Sequence, residues 1–144
     1  MQDAFLTKTL TTSGASAQYP TGVISDGGSA VDEWNVGVVV GAPLYIFLNI
    51  ESSTGTSETM TPTIEQDDAV TFGSATVIWT CPFEINDGNT PDLFCFKLPD
   101  VTEENGKYIR FSTGSIGGSG SPGFTFSVYL TTTAPHGRIY PLPA

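Results

Sequence analysis

Few residues in this sequence are of a type and spacing suited to chemistry, and their settings argue against catalysis. His136 is the only histidine, and it stands between Pro135 and Gly137. A Ser-His-acid triad needs an imidazole held between nucleophile and acid, and a zinc site needs several nitrogen or sulfur ligands converging on one point. A lone imidazole between two backbone-breaking residues meets neither need. No G-x-S-x-G nucleophile elbow occurs, and Cys81 has no basic neighbour in sequence to lower its pKa. Acids come in pairs, as Asp32-Glu33, Asp67-Asp68 and Glu103-Glu104. A glycosidase uses two carboxylates whose environments separate their pKa values, whereas adjacent acids in an acidic chain are mostly solvated and no spacing singles out a pair. Calcium takes about six to eight oxygen ligands, and no D-x-[DN]-x-[DN]-G loop gathers them. The sequence therefore assigns no catalytic residue, no cofactor and no metal ligand.

Two further patterns invite a ligand and give a plainer reading. Gly118-Ser119-Gly120-Ser121-Pro122-Gly123 matches the dinucleotide fingerprint G-x-G-x-x-G. That fingerprint works when its glycines lead from a strand into a helix whose N-terminus faces the pyrophosphate. Here the string contains a proline and lies between strand-like runs, so it reads as a flexible hairpin loop. Trp34 and Trp79 are candidate platforms for stacking sugars, but Trp79 alternates with apolar residues and large aromatics are usually mostly buried. Both read as core or interface residues.

The elements that must position these residues are short. Gly and Pro are so frequent that the longest stretch free of both runs from Met1 to Ser13, which leaves long helices nowhere to form. Runs of β-branched and aromatic residues fill the gaps and predict about eight strands. Phe5 to Leu10 comes first, then a weak run at Tyr19 to Ile24, then a turn at Asp26-Gly27-Gly28. Leu44 to Ile50 is apolar on both faces and predicts a central strand covered on both sides or packed in an oligomer. Thr59 to Gln66 alternates strictly, with Met60, Pro62, Ile64 and Gln66 on one face, and Pro62 predicts an edge or bulged strand because it cannot donate to a ladder. Ala75 to Cys81 places Val77, Trp79 and Cys81 on one face, and Asn86 to Asn89 supplies a turn. Leu93 to Leu98 turns Phe94, Phe96 and Leu98 one way. Asn105-Gly106 is a two-residue hairpin signal leading into Lys107 to Ser112, with Ile109 and Phe111 inward and Tyr108 and Arg110 outward. Phe124 to Leu130 alternates in the same manner.

These strands predict an all-β fold, an antiparallel two-sheet sandwich of jelly-roll type, with an immunoglobulin-like topology second. The chain reads as a single domain over 1–144, with a core of about 5–131 and an extended C-terminal arm of about 132–144. That arm carries Pro135, Pro141 and Pro143 with the apolar cluster Ile139-Tyr140-Pro141-Leu142. Fifteen acids against five bases give a formal net charge of −10, which repels phosphate backbones and anionic membranes. No stretch reaches the ~20 apolar residues of a membrane span, and the N-terminus has no basic-then-apolar export pattern. Cys81 and Cys95 sit in apolar runs and read as buried reduced thiols.

Several segments taken together resemble the phage capsid cement family typified by that of a Bordetella podovirus. They are Val23-Ile24-Ser25-Asp26-Gly27-Gly28, Val36-Gly37-Val38 and Gly41-Ala42-Pro43-Leu44-Tyr45-Ile46, then Thr63-Ile64-Glu65-Gln66-Asp67-Asp68-Ala69. The last block is Gly106-Lys107-Tyr108-Ile109-Arg110-Phe111, followed after a Gly/Ser stretch by Gly123-Phe124-Thr125-Phe126. The chain departs from the family at Ser29 to Trp34, an acid-containing insertion, and from Asn86 to Glu104. The resemblance implies a jelly-roll-like protein without catalysis or cofactor that coats the outside of an icosahedral head and bridges copies of the major capsid protein. It implies a virion location after assembly in the host cytoplasm, and self-association as a homodimer, with a trimer next. The extended ends, with Phe5, Leu6, Ile139, Tyr140, Pro141 and Leu142, are the expected contacts to neighbouring subunits. A carbohydrate- or receptor-binding β-sandwich module of a virion is the alternative.

Overall fold

A computed structural model describes residues 8–11, 17, 25–26, 29–30, 34–35, 43–69, 71–86, 92–100, 104, 106 and 108–131. Among them there is no α-helix, and the chain is all-β. Its strands are β1 (Lys8–Thr11), β2 (Ser25–Asp26), β3 (Ser29–Ala30), β4 (Trp34–Asn35), β5 (Tyr45–Met60), β6 (Thr63–Asp67), β7 (Thr76–Thr80), β8 (Ile85–Asn86), β9 (Asp92–Lys97), β10 (Tyr108–Ser112) and β11 (Ile116–Thr131). One sheet has the order β1-β11-β5-β8, with β9 also pairing β5; a second has the order β4-β10-β6-β7; β2 and β3 form a small hairpin. Every pairing is antiparallel.

The two larger sheets share one hydrophobic core. Ile46, Leu48 and Ile50 of β5 stand in register with Phe96, Phe94 and Asp92 of β9 on one side and with Leu130, Val128 and Phe126 of β11 on the other. The doubly apolar run thus becomes the central strand its composition predicts. Alternation survives as burial: Phe124, Phe126 and Val128 are buried and Thr125 and Ser127 half-buried. Aromatic contacts tie the sheets together, with Phe111 of β10 5.7 Å from Phe126 of β11 and Trp79 of β7 5.1 Å from Phe96 of β9, ring centre to ring centre. Cys81 and Cys95 are buried and unbridged, and loss of solvent pushes both thiols up to about 11.

A shared corner joins the sheets. β5 pairs with β11 up to Met60↔Ile116, and the ladder resumes in the other sheet with Thr63↔Ser112. Between them Thr61-Pro62 and Thr113-Gly114-Ser115 carry both chains across. Met60, Pro62, Ile64 and Gln66 are all buried, as the strict alternation predicts, but Pro62 marks neither an edge nor a bulge. It sits where the strand changes sheets, a position that needs no ladder donor, and its carbonyl accepts from the Cys81 N–H at 2.8 Å. Gly114 has φ +63, and a Cβ there would stand 2.5 Å from the Thr61 carbonyl oxygen.

Several expectations change for identifiable reasons. The string Gly118 to Gly123 is not a hairpin loop between strands: it lies inside β11 and pairs with β5, with register shifts on both sides of Ser119 absorbing the surplus residues. Val77 does not share a face with Trp79. The β6·β7 register steps from Ile64↔Trp79 to Glu65↔Val77, so the extra residue Ile78 inverts the alternation and leaves Val77 52% exposed. Asn105-Gly106 does not close a hairpin between paired strands, because β9 and β10 lie in different sheets. The N-terminal strand is placed at Lys8–Thr11, paired with β11, and Phe5 to Thr7 of the predicted run lie outside the described residues. Part of the Ser29 to Trp34 insertion is strand as well: Ser29–Ala30 pairs with Ser25–Asp26 across Gly27-Gly28, and Trp34 enters β4. The weak run at Tyr19 to Ile24 lies outside the described residues.

A bulge at the far end of β5 carries a testable strain. Thr56↔Ser119 and Thr59↔Gly117 leave Ser57 and Glu58 opposite Gly118 alone, and Ser57 takes φ 58, the left-handed conformation usually given to glycine. The Ser57→Gly chain is expected to be more stable by about 0.5–1 kcal/mol, because removal of Cβ relieves strain that exceeds the added unfolded-state entropy. A lower urea midpoint for the variant at equal m-value would contradict this.

Candidate functional site

The second sheet brings together two of the segments on which the family resemblance rests. Thr63–Asp67 is β6 and Tyr108–Ser112 is β10, and they are ladder partners from Tyr108↔Asp67 to Ser112↔Thr63. Their inward residues Ile64, Ile109 and Phe111 enter the core. Outward, Glu65 stands opposite Arg110, whose Nε and Nη2 each approach the Glu65 Oε2 atom at 2.8 Å. Cross-strand register, rather than nearness in sequence, makes this pair, since the two residues lie far apart along the chain.

The segment after β6 folds back over that pair. Asp67 holds it: Oδ1 accepts from the Ala69 N–H at 3.0 Å and Oδ2 from the Ser74 N–H at 2.8 Å. Phe72, left-handed at φ 49, donates its N–H to the Ala69 carbonyl at 3.0 Å and sets its ring 4.3 Å from the Arg110 guanidinium carbon. An aromatic residue at positive φ is a backbone outlier, and here it is held in place by the Asp67 turn and by stacking on a cation, an interaction of about 0.5–2 kcal/mol. Inside, buried Gln66 donates from Nε2 to the Gly106 carbonyl at 2.7 Å. These groups form a packed cluster of ion pair, ring and backbone, in which Phe72 is buried and the Arg110 and Glu65 side chains keep only 13% and 16% of their exposure.

Asp67 makes this cluster pH-dependent. The Ala69 N–H, then the Ser74 and Asp68 N–H groups and the Arg110 charge hold its carboxyl below its ordinary 3.8, against an opposing effect of burial. A carboxyl whose pKa is lower folded than unfolded adds stability above the unfolded value, and loses it as pH falls through the folded one. The gap in melting temperature between the native chain and Asp67→Asn should therefore be widest near neutral pH and shrink below about 3.8. A constant gap across that range would show that the charge is not what matters.

The outward positions beside this cluster complete the site. Val77 pairs with Glu65 across β6·β7 and is exposed. On the other sheet Leu93 is the second exposed large apolar side chain among the described residues. Trp79 points inward onto Phe96 and offers no sugar platform. Glu58 is buried at 1% exposure, with no hydrogen-bond partner for Oε1 among the described residues. The predicted contacts Phe5, Leu6, Ile139, Tyr140, Pro141 and Leu142 lie outside the described residues. Among the described residues no three side chains of the metal-ligating types gather, and no helix is long and apolar enough to cross a membrane.

The chain matches no family model, no curated protein and no solved structure.

Its own geometry must therefore speak for its function. Two features of the site are invisible to periodicity. Phe72 lies in a turn with no repeating pattern, and only its contact with Arg110 reveals it. Val77 is displaced by a bulge that no single-sequence alternation encodes. The Glu65–Arg110 pair was half legible, because both residues fall on the outward side of their strands.

Proposed function

We propose that this chain is a capsid cement protein, which binds the outer surface of a tailed-phage head and bridges neighbouring copies of the major capsid protein. The observation that carries this reading is the pairing of β6 with β10. Two blocks of the family resemblance become neighbouring strands whose outer side carries the Glu65–Arg110 pair, largely covered by the buried Phe72 ring and adjoined by exposed Val77. Such a face suits contact with another protein surface. The finer fold reading is a jelly roll, supported by the paired ribbon β5–β6 and β10–β11 that turns the corner between sheets as a unit. On this reading the protein acts as a homo-oligomer, dimeric before trimeric, without cofactor or catalysis. Many modest contacts repeated over a shell then supply avidity that one interface lacks. The chain ends, with Phe5, Leu6 and the Ile139 to Leu142 cluster, supply contacts beyond the sandwich.

The test is co-sedimentation with empty shells assembled from the major capsid protein encoded in the same genome. Binding, with a rise in shell melting temperature, is the expected result. A chain that stays in the supernatant while binding glycans as a free protein would replace this reading with the carbohydrate-binding alternative. Unchanged binding by a chain lacking 134–144 would remove the C-terminal arm from the interface.

A further inference from the structure

We infer that the outer face of the first sheet is the seat of this chain's own C-terminal segment, with Tyr140 and Leu142 lying over Tyr45, Phe47 and Cys95. Leu44, Ile46 and Leu48 of the β5 run and Phe94 and Phe96 of β9 enter the shared core, so the residues between them, Tyr45, Phe47 and Cys95, point the other way. Tyr45 and Cys95 are nevertheless only 9% and 4% exposed, and both stand apart from the core cluster. Leu93, on the same face of β9 as Cys95, is 55% exposed. Along β5 this face runs from buried Tyr45 through half-buried Phe47 and Asn49 to exposed Glu51. A local cover thus lies over Tyr45 and Cys95 and ends short of Leu93, Glu51 and Lys97. Such a cover is what a run apolar on both faces requires.

Chain geometry selects the occupant. β11 ends at Thr131, opposite Tyr45, so residues 132–144 leave the sheet beside the covered patch. Ala134-Pro135-His136-Gly137 has the pattern of a type I turn, with Pro second and Gly fourth. Reversal there brings Tyr140 level with Thr131 and Leu142 level with Tyr129, and these are the ladder partners of Tyr45 and Phe47. β11 already pairs with β5 and β1, and its other face fills the core, which leaves the outer face to the returning run. In an extended run Tyr140 and Leu142 share one side, and Ile139 and Pro141 face outward. The outward pair remains available to a neighbouring subunit, and only that half rests on the proposed function. Other stretches are less well placed. Residues 12–24 leave β1 at Thr11, opposite Thr125, at the end of the face where Glu51 and Ser52 are exposed. Residues 36–42 are tied to the second sheet at β4, and residues 1–7 precede a strand separated from Cys95 by β11 and β5.

The two native thiols make the test. Cys95 lies beneath the proposed seat and Cys81 in the core, so Cys81 reports general opening in the same molecule. The experiment is labelling with N-ethylmaleimide, mapped to each cysteine by peptide mass, on the native chain, a chain ending at Ala134, and the full-length variants Leu142→Asp, Ile139→Asp and Tyr19→Asp. Shortening the chain, or Leu142→Asp, is expected to speed labelling of Cys95 by about tenfold or more and to leave Cys81 unchanged. Ile139→Asp and Tyr19→Asp should label like the native chain. Cys95 that stays as slow without the segment overturns the inference, as do thiols that speed up only together in both the shortened chain and Leu142→Asp. Exposure of Cys95 by Tyr19→Asp instead would give the seat to residues 12–24. Exposure of Cys95 on dilution of the native chain would give it to a second copy, and either result overturns the assignment. None of these readouts uses shells, so a failure of shell binding leaves the seat standing, and an exposed Cys95 leaves shell binding to its own test.

Discussion

A Gly106→Ala chain is expected to lose roughly 3–5 kcal/mol of stability, the sum of an unfavourable backbone conformation and a broken buried hydrogen bond. Gly106 has φ +126, and a Cβ there would overlap the carbonyl carbon and oxygen of Asp67 and the nitrogen of Asp68. These are backbone atoms on β6 and just beyond it, so no side chain can swing aside to make room. The relief available is to lift the Gly106 segment from β6, which pulls its carbonyl from the Gln66 Nε2 atom and breaks that buried hydrogen bond. Against a total stability of about 5–15 kcal/mol this is a large fraction. Urea unfolding of Gly106→Ala beside Gln66→Leu resolves the two parts, because Gln66→Leu removes the hydrogen bond and keeps the glycine. A loss below about 1 kcal/mol for Gly106→Ala would mean that the close approach to Asp67 is not maintained in solution.

The same glycine shows where sequence reading stops. Asn105-Gly106 carries the chemistry of a tight turn, and Gly106 does occupy the positive φ that such a turn demands. Its partner is nevertheless β6, forty positions back through the Gln66 contact, and no local signal reports a long-range approach of two backbones. Side-chain periodicity was legible where strands are regular: β10 buries Ile109 and Phe111 and turns Arg110 outward, and β9 buries Phe94 and Phe96. It failed where one residue was inserted. Ile78 inverts the face of Val77. A strand period of two has no tolerance for one extra residue, so each bulge flips everything beyond it. Strand assignment to sheets was illegible for a different reason. Pro62 and Gly114 mark a corner, but the same residues mark edges and turns in other folds, and only the ladder β5·β11 continuing as β6·β10 distinguishes them.

Replacing Phe96 by alanine should cost about 3–5 kcal/mol, comparable to the glycine substitution but by another mechanism. Phe96 is fully buried, and its ring lies 5.1 Å from Trp79, 5.8 Å from Phe83 and 6.2 Å from Phe94, centre to centre. Its backbone belongs to the first sheet, whereas Trp79 belongs to the second. The ring therefore helps hold the sheets together as well as filling volume. Phe96→Leu keeps most of the volume and should cost less than half as much, whereas equal costs would point to loss of aromatic contact as the dominant effect. The consequence reaches β7. β7 is an edge strand, paired on one side among the described residues, and Trp79 is one of its two side chains packed against the core. Once the Phe96 ring is gone, Trp79 loses its nearest aromatic neighbour. Amide exchange at Trp79 and Cys81, whose backbone faces β6, should then accelerate before that of β5, whose central position gives it partners on both sides. Uniform acceleration across both strands would instead mean that the sheets open only together, and that β7 cannot loosen by itself.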